Sequence, residues 1–245
     1  MRRDLKLAAV ALAMALGAGQ AQAVTAFTLT FGEDSVSSNT PATGASGTVG
    51  FSFADFGPLT DKIATLSLEV TNTTGSPIFG ARATESKLVQ FGFDLVSGAS
   101  YVAGSFSGIT GGFDTIALNA SASPFGSLAI LTGVDGDFEG GQPTTGLDAT
   151  ESQTVSLRLA YGGTTATNAL QLASLFADFF ANDPVTASNK SGARSAMRFQ
   201  SVNAGEGSDK LAGPDVSIIP VPAGALLIVS ALGVAGVVSR MRRAA

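Results

Sequence analysis

The stretch LSLEV, Leu66 to Val70, sets three apolar side chains at every second residue, with Ser67 and Glu69 between them. In an extended chain successive side chains point to opposite faces, so this spacing puts Leu66, Leu68 and Val70 on one face of a strand and the polar pair on the other. The same period of two recurs outward from it. Phe27, Leu29 and Phe31 alternate with threonines, and Val49, Phe51 and Phe53 with Gly50 and Ser52. Val89, Phe91, Phe93 and Leu95 repeat the pattern, as do Val155, Leu157, Leu159 and Tyr161. Between these runs stand turn-rich stretches: NTTGSP at 72–77, SGITGG at 107–112, GDFEGGQP at 136–143 and YGGTT at 161–165. Short alternating strands with such punctuation predict an all-β fold, an antiparallel β-sandwich in which each sheet hides one face.

One segment departs from period two. In NALQLASLFADFFAND, residues 168–183, Leu172, Leu175, Phe176, Phe179 and Phe180 have the spacing of one helix face, and Pro184 would stop a helix. The piece SLFADFF also reads as a strand, so the pattern leaves helix and strand open.

The two ends differ from the middle. Residues 1–23 begin with Arg2, Arg3 and Lys6, continue through the apolar stretch Leu7 to Ala18 and finish on Ala21-Gln22-Ala23. This is the layout of a secretory signal peptide, with cleavage expected after Ala23. The apolar stretch is short for crossing about 30 Å of hydrocarbon. At the other end, Ile218 to Val238 is a run of 21 residues without a charge, followed by Arg240, Arg242 and Arg243. From Pro222 onward a helix would span about 25 Å at 1.5 Å per residue, enough for one membrane crossing with the arginines retained on the cytoplasmic side. Pro220 and Pro222 bias Ile219 and Val221 away from helical geometry, so the chain just outside the bilayer should stay extended. The expected organisation is a signal peptide at 1–23, a β-sandwich ectodomain at 24–203, a glycine-rich linker at 204–217 and a C-terminal segment at 218–245.

Composition narrows the chemistry. There is no cysteine, histidine or tryptophan in the 245 residues. Without cysteine there are no disulfides, and the body must be held by packing. Without histidine or cysteine, Ser-His-Asp and Cys-His sites are excluded, and the commonest zinc and copper ligand is missing. The two ends hold six of the 14 basic residues but only Asp4 of the 19 acidic ones, so the body is more acidic than the chain's net −5. Such a body repels nucleic-acid phosphates and anionic headgroups, so no nucleic-acid partner is expected. A carboxylate pair of the glycosidase type survives in principle, but no motif selects one. The chain is therefore expected not to be an enzyme and to carry no cofactor.

Asp135, Asp137 and Glu139 alternate on a glycine-rich loop, a spacing of oxygen ligands that makes them a calcium candidate. The full EF-hand pattern is absent and Phe138 interrupts the spacing, so an acidic turn without a metal is expected. Asn72, Asn119 and Asn189 open N-x-S/T triplets.

The order IPVPA, apolar span and arginine cluster resembles the VPLPA form of the PEP-CTERM sorting signal of exported proteins. The motif residues are Pro220, Val221, Pro222 and Ala223, with Ile219 where that family has valine and Val221 where it has leucine. The resemblance implies recognition by a membrane-embedded exosortase, which cuts at the short motif. The body resembles the cistern family of PEP-CTERM proteins in LSLEVTNTT at 66–74, FGFDL at 91–95, ARSAMRFQSV at 193–202 and GSDKLAG at 207–213. This second resemblance adds no activity; the chain is expected to be a non-enzymatic surface or matrix protein, for which the family resemblance implies association with exopolysaccharide. The alternative is an extracellular carbohydrate-binding module, calcium-dependent, with Tyr101 and Tyr161 as its only tyrosines for stacking on sugar.

Overall fold

Where the alternation is cleanest, the backbone is extended and paired. A computed structural model describes residues 24–139, 143–204 and 207–218. Strands β1 (Val24–Phe31), β3 (Gly47–Asp55), β4 (Ile63–Asn72) and β9 (Ser152–Ala160) lie side by side, flanked by the edge strands β12 (Asp215–Ile218) and β6 (Ser100–Tyr101). The second six-stranded sheet runs in the order β2 (Val36–Ser37), β11 (Asp209–Ala212), β10 (Ser195–Gln200), β5 (Lys87–Phe93), β8 (Ser127–Gly133) and β7 (Thr115–Ser121). All the strand pairs are antiparallel.

In the first sheet the register aligns the apolar residues. Phe51 stands opposite Leu68, which in turn faces Val155 on the next strand. The inward residues of these strands are almost fully buried while their neighbours stay partly open to water. The facing sheet supplies Phe91 and Phe93, whose rings meet Phe51 edge-on at 6.1 and 5.7 Å. Burying one such ring contributes roughly 1.5–3 kcal/mol, and the T-shaped geometry adds to it. The chain is thus mostly β, with two antiparallel sheets facing each other across a phenylalanine-rich core, as expected of a sandwich.

Residues 168–183 resolve to a helix, α1 (Ala169–Ala181). The Asn168 side chain caps it, its Oδ1 accepting from the Gln171 amide at 2.9 Å. Leu172, Phe176 and Phe180 form its buried stripe against β3, β1 and β12. Phe176 packs 5.5 Å from Phe53, and Phe180 packs 5.5 Å from Phe51. A strand would have sent Phe179 and Phe180 to opposite faces, and only the helix puts all three stripe residues into one core.

The second sheet does not alternate. Along β5, from Leu88 to Phe93, both faces are buried. Its outer face carries a second apolar cluster of Phe125, Leu128, Leu131, Phe138, Ala196 and Ala212, roofed by connecting segments rather than by another sheet.

The expected linker at 204–217 is corrected by the structure. It contributes β11 and most of β12, one strand to each sheet, and Asp209 within it is fully buried. The turn between these strands is Gly213-Pro214. Gly213 has φ 68°, and a Cβ there would meet Val185 Cγ1 at 2.6 Å, so both the conformation and the space demand glycine. Glycine content suggested flexibility, but these residues serve one tight crossover.

Candidate functional site

The sequence-predicted processing residues all fall outside the described residues: Ala21 and Ala23, Pro220 to Ala223, and Arg240, Arg242 and Arg243. What the structure gives is the frame around them. β1 begins at Val24, and β12 pairs along it with Phe27 opposite Ile218 and Thr30 opposite Asp215. Because the pair is antiparallel, the start of β1 and the exit from β12 point toward the same end of the first sheet. Among the described residues no helix is long and apolar enough to cross a membrane.

The end toward which these termini point is built from the β3–β4 connection and the start of α1. Asp55, the last residue of β3, accepts through Oδ1 from the Tyr161 hydroxyl at 3.0 Å and from the Ala169 amide at 2.8 Å. One carboxylate therefore ties together a strand end, the β9–α1 connection and a helix N-terminus, where negative charge also suits the helix dipole. Burial is the main cause that pushes the Tyr161 hydroxyl up to about 12, and the bond to Asp55 adds to it. Lys62, in a left-handed conformation after a 3₁₀ turn, donates from Nζ to the Ala166 carbonyl at 2.7 Å.

The acidic loop is brought to the outer face of the second sheet, but not as a cation site. Arg198 of β10 is buried there, and its Nη2 donates to the Glu139 carbonyl at 2.8 Å. Gln90 of β5 donates to the carbonyls of Asp135, at 3.3 Å, and Asp137. Lys210 pairs with the Glu139 carboxylate at 3.2 Å, and Phe138 is sunk into the apolar cluster below. The Asp137 carboxylate accepts from the Glu139 amide at 2.7 Å. Among the described residues no group of three His, Cys, Asp or Glu side chains is arranged to hold a metal ion, Asp135, Asp137 and Glu139 included. The loop presents its carbonyl oxygens to a buried guanidinium and a buried amide, while the Asp137 and Glu139 carboxylates are engaged by the Glu139 amide and by Lys210. Burial lowers the pKa of Arg198, while Glu139, Asp137 and Asp135 together oppose that fall. Its Nε has no hydrogen-bond partner among the described residues. The alternation of acids was visible in the sequence, but the Arg198 and Gln90 beneath them were not, because they come from strands far along the chain.

Two further groups are structural. Asn72 is buried at the end of β4, its Nδ2 donating to the carbonyls of Ser86 and Leu147, both at 2.9 Å. It is not a free acceptor triplet. Asp209 accepts from the Ser37 hydroxyl at 2.7 Å and the Thr43 hydroxyl at 2.8 Å, pinning the segment after β2 to β11. Nor do the tyrosines offer a sugar platform. Tyr161 is wholly buried, and Tyr101 is half-buried with its hydroxyl accepting from the Phe106 amide at 3.2 Å. At the opposite end of the first sheet lies a cavity of about 180 Å³ lined by Gly32, Glu33, Asp34, Thr73 and Asp215 among others.

Comparison with protein families, characterised proteins and solved structures finds no match to this chain.

Proposed function

We propose that this chain is a non-enzymatic exported protein whose body, an all-β ectodomain, is tethered by a single C-terminal membrane helix and processed at Pro220 to Ala223 by an exosortase-type enzyme. In this reading residues 1–23 direct export, and Arg240, Arg242 and Arg243 stay in the cytoplasm. The body stands outside the inner membrane until it is released to the cell surface or matrix, with exopolysaccharide as the associated material. The observation that carries the reading is the continuity at the C-terminus. The edge strand β12 reaches Ile218, already inside the uncharged stretch that follows Asp215, and the proline motif starts two residues later. A motif set so close to a folded edge strand, between water and lipid, suits an enzyme that cuts at the membrane surface.

Fractionation of cells expressing the full chain tests this. The expected result is a form lacking the C-terminal segment in the matrix or medium, which disappears when Pro220 and Pro222 are both replaced by alanine. Full-length protein found only in the inner membrane, with or without those replacements, would overturn the sorting part of the reading. Burial of Tyr161 and the engagement of the Tyr101 hydroxyl with the Phe106 amide do not favour the carbohydrate-binding alternative.

A further inference from the structure

We propose that the end of the body formed by the β3–β4 connection and the first turn of α1 is a lipid-docking surface, which seats the folded domain on the bilayer that its C-terminal segment enters. The proposal rests on the tethered reading above and adds a defined contact face to it.

Exposed large apolar side chains gather at this end. Leu59 is 56 % exposed and Leu170 57 %, and Phe56 is also exposed. Leu170 follows Ala169, whose amide is held by Asp55, and Phe56 follows Asp55. Phe56 and Leu170 are thus each next in sequence to a partner of the Asp55–Ala169 hydrogen bond, and Leu59 lies three residues beyond Phe56 in the same connection. Ile218, 66 % exposed, belongs to the strand heading toward them. It lies level with Phe51, four residues short of Asp55, so roughly 13 Å of extended chain separates it from this end. The described chain thus ends at Ile218 heading in this direction, and the uncharged stretch continues from there in sequence.

The connection is shaped to meet an apolar medium. The Phe56 amide donates to Ile63 at 2.9 Å, the Asp61 amide to Pro58 at 3.0 Å and the Lys62 amide to Leu59 at 3.3 Å. Pro58 has no amide to satisfy. With these three amides bonded internally and Pro58 lacking one, carrying Leu59 toward the boundary of the acyl region costs less backbone desolvation. The charges at this place balance, with Asp55 and Asp61 matched by Lys62 and Arg158, whose guanidinium lies 3.7 Å from the Phe56 ring centre. The acidity of the rest of the body opposes anionic headgroups, so the docking is apolar and suits a zwitterionic surface. Ile78, also exposed, follows β4 at the opposite end and serves as the contrast.

The chain has no tryptophan, so each introduced one is a sole reporter. Full-length Leu59→Trp, Leu170→Trp, Ile78→Trp and Leu227→Trp are reconstituted into phosphatidylcholine vesicles with and without brominated acyl chains. Quenching of Leu59→Trp and Leu170→Trp by the brominated lipid, with Ile78→Trp unaffected, is expected. Leu227→Trp reports the tether separately. If it is quenched while Leu59→Trp and Leu170→Trp are not, the tether stands and docking is overturned. If Leu227→Trp escapes quenching, the tether fails, and docking still stands or falls on the other two. Equal quenching of Ile78→Trp also overturns the proposal. So does short-wavelength emission of Leu59→Trp without bromine quenching, since protein rather than lipid then covers the face.

Discussion

Phe27 and Ile218 stand opposite each other across the edge of the first sheet, 191 positions apart in the chain and adjacent in the fold. Their pairing closes the described chain on itself, so the first strand and the last share one ladder. The side chains differ sharply in surroundings. Phe27 is fully buried against Phe51 at 4.6 Å, while Ile218 is largely open.

The helix stripe should matter most where it meets both sheets. Phe180 touches Phe27 and Phe51, and Phe51 meets the second sheet through Phe93. Phe180→Ala is expected to lower the unfolding free energy by about 3–5 kcal/mol, from lost burial plus an unfilled cavity. Urea denaturation followed by far-ultraviolet circular dichroism measures it, and a loss below ~1 kcal/mol would mean that α1 is not part of the core.

Tyr161 gives the fold an alkaline limit. Its folded pKa of about 12 lies above the ordinary tyrosine value of 10, so the protonated form is favoured in the native state. The stability it contributes is whole below pH 10 and is lost as pH rises through 12. The difference in melting temperature between the parent chain and Tyr161→Phe should shrink across that window. A difference that stays constant from pH 9 to 12 would contradict the assignment.

Asp94 behaves in the opposite region of pH. Burial raises its pKa most, the Ala129 amide hydrogen bond opposes this, and Asp183 adds to the rise against Arg194. A raised carboxyl pKa makes ionisation costly in the fold, so the stabilising contribution is present in acid and disappears as pH climbs through the folded pKa. Asp94→Asn keeps an oxygen for the Ala129 amide. It is expected to be more stable than the parent at neutral pH, with the advantage vanishing in acid, as read by melting temperature at several pH values.

Arg198 holds down the 135–139 loop. Removing it as Arg198→Ala takes away the donor that the Glu139 carbonyl and Gln90 Oε1 share, at an expected cost of about 3 kcal/mol. Limited proteolysis should then cut near Glu139 while the rest of the chain persists. Resistance equal to the parent would show that Phe138 alone fixes the loop.

Reading the sequence recovered the four central strands of the first sheet, though not its edge strands β6 and β12, because its outer face is open and hydrophobic alternation is a direct record of one buried side. The second sheet was less legible for the same reason. With both faces of β5 covered, Gln90 and Gly92 sit where polarity and smallness suggested solvent. Residues 204–217 misled because Gly and Asp are read as loop formers, whereas Asp209 is buried by hydroxyl donors recruited from Ser37 and Thr43. Of the candidate sites, the acidic loop was found but its chemistry was not, since side-chain spacing says nothing about where carbonyls point. The apolar residues of the β3–β4 connection carried no periodic signal and became meaningful only once the fold put Leu170 and the direction of β12 beside them.

The Gly213-Pro214 crossover has a mechanical consequence. A pull on Ile218 runs along the strand, perpendicular to the β1–β12 hydrogen bonds, so those bonds resist in shear together rather than peeling apart singly. Behind β12 the crossover passes tension into β11 and so into the other sheet. A body tugged by its stem therefore grips with both of its layers.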